Sequence, residues 1–242
     1  MPIPAHTLLI DSGNSWVKWR FRDAAGTLLR GSFAQSLPSP PAYPANAPLG
    51  SVNPRGLSGW TQLADLPSPP KQLLIAHVGA STLQPAMDEF AHTHWGITPQ
   101  WIKASAEVPQ LRNGYLEPTT LGVDRWLNML AIRARCTSAF VIVSAGTAIT
   151  LDVVDHTGEH LGGWIMPGLQ AMQTQGQQRP AYVSWIAGIS AFSAQSLGHN
   201  TPLYVTGGDA KAVLSQLPGL NVAAYEQPDC VLLGLEVLAE NA

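Results

Sequence analysis

The run Asp11-Ser12-Gly13-Asn14-Ser15-Trp16-Val17-Lys18 gathers residue types able to hold a polyphosphate. A glycine turn leaves successive backbone N–H groups unshielded, and such concavities bind anions. Asp11 offers the hard carboxylate oxygen that Mg²⁺ takes. Lys18 can meet a phosphate as a compact positive charge, and Asn14 and Ser15 add donors. A second turn, Ser144-Ala145-Gly146-Thr147 with Thr150 beyond it, presents glycine and hydroxyls again. Taken alone, either turn reads more readily as an ordinary hairpin, where Asp, Gly and Asn are common. The duplication is what points to a nucleotide.

A third segment runs from Asn113-Gly114-Tyr115 to Gly122-Val123-Asp124-Arg125. Leu127, Leu130, Ala131 and Ala134 recur at helical spacing, which predicts a helix beginning near Val123. Asp124 then falls in its first turn, where the helix dipole favours the ionised carboxylate. Such a carboxylate can accept the proton of an alcohol that is being phosphorylated. Arg125 can fork onto a carboxylate or a phosphate. Standing alone, the pair reads as a helix-stabilising acid beside a surface ion pair.

These groups need elements to carry them. Thr7–Ile10, Ser15–Arg22 and Thr27–Phe33 read as three strands of an antiparallel meander, joined by short turns. Trp16, Lys18, Arg20 and Arg22 face one side of the second strand, and Val17, Trp19 and Phe21 the other. A strand at Lys71–Ala76, a helix at Leu83–Trp95 and a strand at Gln100–Lys103 follow. The order then repeats: strand Phe140–Val143, turn, strand Ala148–Val154, turn, strand His160–Ile165. Leu203–Val205 is a further strand. Short helices are predicted at Asp209–Gln216 and at Asp229–Glu240, the latter with Val231, Leu235 and Leu238 on one face. The proline-rich stretch Leu37–Arg55 can form no helix and reads as a surface loop. Paired turns in duplicated halves predict a nucleotide cleft between two α/β lobes.

Composition bounds the function. A chain of 242 residues suits one large domain or two of about 120 residues, and 45 % hydrophobic content supports a sizeable core. With 12 % charged residues and a net charge of −3, the chain has no electrostatic footprint for nucleic acid or an anionic membrane. Cys136 and Cys230 form no CxxC and read as buried thiols of a reduced, cytoplasmic protein. Met1–His6 lacks a signal-peptide pattern, and the uncharged stretch Cys136–Leu151 is shorter than the ~20 residues of a membrane span. His92 and His94 would point to different helix faces, which disfavours a shared metal, and His77 reads as an interior histidine. The eight tryptophans fit core or interface packing.

Six motifs occur in one order: Asp11-x-Gly13-Asn14-Ser15-x-x-Lys18, Asn113-Gly114-Tyr115 with Pro118, Gly122-x-Asp124-Arg125, Gly146-Thr147-Ala148-x-Thr150, Gly162-Gly163 with Pro167-Gly168, and Thr206-Gly207-Gly208. Together they resemble the type III pantothenate kinases, in the branch that includes Bvg accessory factor. The resemblance implies an α/β, duplicated actin-like (ribonuclease-H-type, ASKHA) fold. Its lobes would be 1–122 and 123–242, with an interlobe nucleotide cleft. It implies a homodimer that phosphorylates pantothenate to 4′-phosphopantothenate with ATP, Mg²⁺ and K⁺ or NH₄⁺, opening coenzyme A biosynthesis. On this likeness Asp124 is the general base. Asp11, Ser12, Gly13, Asn14, Ser15, Lys18, Gly146, Thr147 and Gly207 are ATP contacts, with Asp11 on Mg²⁺. Tyr115, Gly122, Val123, Arg125 and Ser184 are the implied substrate contacts. Ser144 stands where many members carry an aspartate for the monovalent cation, and Gly168–Gly207 is shorter than usual. A catalytically impaired relative that binds nucleotide or a partner is the alternative reading.

Overall fold

The computed structural model describes residues 3–35, 59–79, 83–174, 180–197, 201–217 and 223–240, so the proline-rich loop lies outside the described residues. Two compact units make up the chain, Met1–Ile102 and Lys103–Ala242.

The first unit is built on a five-stranded sheet in the order β3-β2-β1-β4-β5. The strands are β1 (Thr7–Ser12), β2 (Trp16–Arg22), β3 (Leu28–Ala34), β4 (Gln72–His77) and β5 (Gln100–Trp101). β1, β2 and β3 form the antiparallel meander, while β4 runs parallel to β1 and β5 parallel to β4. The last strand is shorter than the predicted Gln100–Lys103, because only two of its residues find partners on β4. Side-chain alternation sends Leu8 and Ile10 of β1, Val17 and Phe21 of β2, and Leu73 and Ile75 of β4 into one core. Helix α1 (Leu83–Trp95) adds Met87, Phe90 and Ala91, a spacing that keeps them on one helical face. Burying a side chain such as Leu8 stabilises the unit by about 1.5–3 kcal/mol.

The second unit repeats the plan. Its sheet runs β10-β9-β8-β11-β12. The strands are β8 (Phe140–Ala145), β9 (Ala148–Val154), β10 (His160–Pro167), β11 (Leu203–Thr206) and β12 (Ala224–Glu226). The first three again form an antiparallel meander, with β11 and β12 added in parallel. A small hairpin, β6 (Glu107–Val108) with β7 (Leu111–Arg112), precedes helix α2 (Val123–Arg133). Val141, Val143, Ile149, Leu151 and Val153 face a core closed by α3 (Leu169–Thr174), α4 (Pro180–Leu197) and α5 (Ala210–Leu214). The alternate residues of β8 and β9 face the other way, where α2 packs against both strands and against α6 (Cys230–Glu240).

Two details depart from expectation. The buried residues of α6 are Cys230, Leu232, Leu233, Gly234, Leu235 and Ala239, not a Val231–Leu235–Leu238 face. The helix is apolar on most sides, so its sequence does not mark which side meets α2. Cys230 is buried but Cys136 is half-exposed, since it lies just past the end of α2, where the chain turns through solvent-facing residues. No helix among the described residues is long and apolar enough to cross a membrane.

Candidate active site

In the first unit, the chain leaves β1 at Asp11-Ser12 and returns along β2, the turn closed by Gly13 N–H donating to the Trp16 carbonyl at 3.0 Å. Asp11 and Lys18 are cross-strand partners, which puts a carboxylate and an ammonium group on one sheet face at the turn. Asn14 and Ser15 at its tip are exposed. Ser12 is not: its side chain is fully buried, and its Oγ lies 3.0 Å from Nδ1 of His77 at the end of β4. Its carbonyl is engaged as well, accepting the Val78 N–H at 3.0 Å, so Ser12 supports the turn from beneath. His77 is thus a half-buried brace under the turn rather than a core residue.

The second unit gathers its predicted phosphate residues through backbone contacts. Gly146 N–H donates to the Ala148 carbonyl at 3.0 Å, leaving Gly146 half-buried and Thr147 exposed. Beside it, Asp209 N–H donates to the Ala145 carbonyl at 3.0 Å, drawing the Thr206-Gly207-Gly208 turn against the end of β8. Gly207 has φ +96°, and a Cβ there would stand 2.6 Å from the Ala145 carbonyl carbon. Only glycine fits that approach. Gly168 N–H donates to the Thr147 carbonyl at 3.1 Å, so three glycine segments converge on one sheet end. Ser144 has Thr150 and Thr206 as its register partners, and therefore neutral side-chain oxygens directly opposite it.

The densest chemistry surrounds the start of α2. Asn113 accepts the Tyr115 N–H at Oδ1 (3.0 Å) and donates through Nδ2 to the carbonyls of Ser105 and Pro118, both at 3.1 Å. That side chain fixes the loop carrying Tyr115. Gly122 caps α2, and Asp124 lies half-buried in the first turn with Oδ1 curled back over Gly122. Burial pushes the Asp124 carboxyl up, against the backbone N–H and charge of Arg125, which pull it down. The backbone N–H groups of the helix start favour the ionised carboxylate, as its first-turn position predicts, while desolvation works against them and sets the net direction.

Arg125 is buried and its fork is occupied. Nε donates to Asp152 Oδ2 at 3.0 Å, Nη2 to Asp152 Oδ1 at 2.5 Å, and Nη1 to the Tyr115 hydroxyl at 2.9 Å. Burial alone would lower the Arg125 pKa, but the bonds and charge of Asp152, with the Tyr115 hydroxyl, raise it. His160 completes the cluster, with Nε2 at 2.9 Å from Asp152 Oδ1 and its ring stacked on Tyr115 at 5.8 Å between centroids. Asp152 and His160 are absent from the sequence-predicted site. A signal was there: Asp152 is a lone charge in the apolar strand β9, and Arg125 begins an otherwise apolar stretch of α2, so each demands a buried partner. Val123 is buried beside them, whereas Ser184 stands exposed on α4. No group of three or more His, Cys, Asp or Glu that could hold a metal occurs among the described residues.

A family model described as type III pantothenate kinase matches residues 7–220. A relative from Nitrosococcus oceani named type III pantothenate kinase is 30 % identical over 276 residues, covering 97 % of this chain and 94 % of its own. Among solved structures, the inorganic polyphosphate/ATP-glucomannokinase from an Arthrobacter species superposes with a TM-score of 0.53 at 14 % identity, over 98 % and 99 % of the two chains. The activator of the 2-hydroxyisocaproyl-CoA dehydratase from Clostridium difficile, solved with bound ADPNP, gives 0.50 at 10 % identity, over 97 % and 94 %. These likenesses identify the actin-like fold seen in the repeated sheet order. By its family model and its curated relatives, the chain belongs to the type III pantothenate kinase family.

Proposed function

We propose that this chain transfers the γ-phosphoryl group of ATP to the primary alcohol of pantothenate, giving 4′-phosphopantothenate, the entry to coenzyme A. The observation that carries the reading is Asp124, a carboxylate raised by burial at the start of α2, one residue from the Arg125–Tyr115 pair. A base of this kind accepts the alcohol proton as the oxygen attacks phosphorus. Arg125 and Tyr115 orient pantothenate, with the backbone of Gly122 and Val123 beside them and Ser184 as a further contact. Asp11 is assigned to Mg²⁺, and Ser12, Gly13, Asn14, Ser15, Lys18, Gly146, Thr147 and Gly207 are the residues assigned to ATP.

Mg²⁺ fits Asp11: it binds through one or two carboxylates and substrate phosphates while keeping several waters, so a single half-buried carboxylate at the turn suffices. Bound there, the ion would neutralise phosphate charge. A monovalent cation near Ser144 would find only neutral oxygens in register with it. A cytoplasmic homodimer is the form proposed.

The purified protein should release ADP from MgATP only when pantothenate is present, in K⁺ or NH₄⁺ buffer. Asp124→Asn should lower kcat by about 10²–10⁴-fold while ATP binding persists. Silence of the wild type under every cation would reject the kinase in favour of an impaired nucleotide-binding relative.

A further inference from the structure

His160 is completely buried, yet its Nδ1 has no hydrogen-bond partner. Buried polar atoms are nearly always paired, so a histidine left with an orphan nitrogen is a poor choice for packing alone. Its other nitrogen has a defined task. A carboxylate only accepts, so the ring proton belongs on Nε2, pointing at Asp152 Oδ1 at 2.9 Å. Asp152 in turn receives Nε and Nη2 of Arg125, a side-on fork that fixes the guanidinium plane and leaves Nη1 as the edge facing Tyr115. The same imidazole stacks on the Tyr115 ring at an interplanar angle of 12°. One buried histidine therefore restrains both of the side chains assigned to pantothenate. Gly163 closes the arrangement from β10, because a Cβ there would run into Arg125 Nη2 and Asp152 Oδ1.

We infer that His160 and Asp152 are positioning residues of the substrate site, His160 setting the Asp152 carboxylate and Asp152 setting the Arg125 fork for its ligand. The inference rests on the reading that Arg125 and Tyr115 contact pantothenate.

Two amides test it by reach. A glutamine nitrogen can stand about where His Nε2 stands, whereas the shorter asparagine stops near Nδ1 and cannot donate to Asp152. His160→Gln should keep the KM for pantothenate within about twofold of wild type. His160→Asn should raise it about tenfold, the low end for losing a hydrogen bond to a charged group, with the KM for ATP unchanged. In an Arg125→Lys background the Asn substitution should add less than about twofold, since its route is already cut. Equal effects of Gln and Asn, a parallel rise in the KM for ATP, or additivity with Arg125→Lys would each overturn the assignment. Should the wild type never turn over pantothenate, the proposed reaction fails, but the positioning claim is still decided by the Arg125 Nε–H resonance. A signal retained in His160→Gln and lost in His160→Asn supports it; a signal unchanged in both refutes it.

Discussion

Asp124 keeps its proton more tightly than an exposed aspartate because its half-buried carboxylate has shed water. Two consequences follow from the one shift. A base must be ionised, and ionisation is lost as pH falls through the raised pKa. The acid limb of kcat/KM for pantothenate should therefore lie above that of an exposed aspartate, and pH profiles of wild type should show the displacement. Folding responds with the opposite sign. A carboxyl whose pKa is higher folded than unfolded contributes stability below its unfolded pKa, and that contribution disappears as pH rises through the folded value. Asp124→Asn, which cannot ionise, should melt above wild type at pH 7 and converge with it in acid. A variant less stable than wild type at pH 7 would contradict the burial argument. Asp124 itself was legible in the sequence from helical spacing and its neighbours. What the sequence could not give was the sign of its shift, which depends on which atoms cover it. Ser12 shows the same limit: its residue type announces a donor, but a half turn of strand sends its hydroxyl inward to His77.

Helix α2 organises the second unit because both its ends are tied by buried arginines. Arg125 holds Asp152 near the start. At the other end the Arg133 guanidinium donates to the carbonyls of Gln110 (2.8 Å), Thr137 (3.1 Å), Ser138 (3.2 Å) and His156 (3.0 Å). Those carbonyls belong to the β6–β7 hairpin turn, the segment leaving α2 and the β9–β10 turn, so one cation joins three loops. Arg133→Met keeps the apolar stem and strands these carbonyl acceptors, with that of Cys136 at 3.5 Å among them. It should cost about 3 kcal/mol, the scale of breaking a buried charged hydrogen-bond network. Urea unfolding would show this as a lower midpoint with an unchanged slope. An unaltered midpoint would mean that water replaces the guanidinium freely. Of the elements, α1, β9 and the start of α2 were readable because amphipathic or alternating patterns mark them. The elements α3 and α4 were not, since Pro180–Leu197 contains no charged residue to distinguish an outer face. Two-residue strands such as β6 and β7 exist through their partners alone and leave no periodic trace.

At the scale of the molecule, the duplicated plan was visible in advance because the turns after Asp11 and Ser144 recur with the same strand–glycine–strand grammar. The sheets repeat it strand for strand. The repetition is of topology and not of edge chemistry: β3 and β10 are both outer strands but carry different side chains. In the second unit β10 is an outer strand, and it carries exposed Leu161 (55 %), Trp164 (40 %) and Ile165 (65 %). An edge strand with unpaired backbone groups and large apolar side chains invites association unless charge guards it. The only residues from Leu161 to Pro167 are apolar ones, and a chain with 12 % charged residues has little else to supply the guard. A second copy of the chain is the occupant that matches the proposed homodimer, and a stable interface needs about 800 Å² from each partner. Ile165→Glu would put a charge where that surface closes, and desolvating it without a partner opposes association. Light scattering should find wild type at twice the chain mass and Ile165→Glu at the single-chain mass. Because Ile165 is solvent-exposed in the isolated chain, the melting temperature extrapolated to low concentration should stay within a few degrees of wild type. A variant that remains dimeric would move the interface off β10, and a monomeric wild type would remove the homodimer altogether.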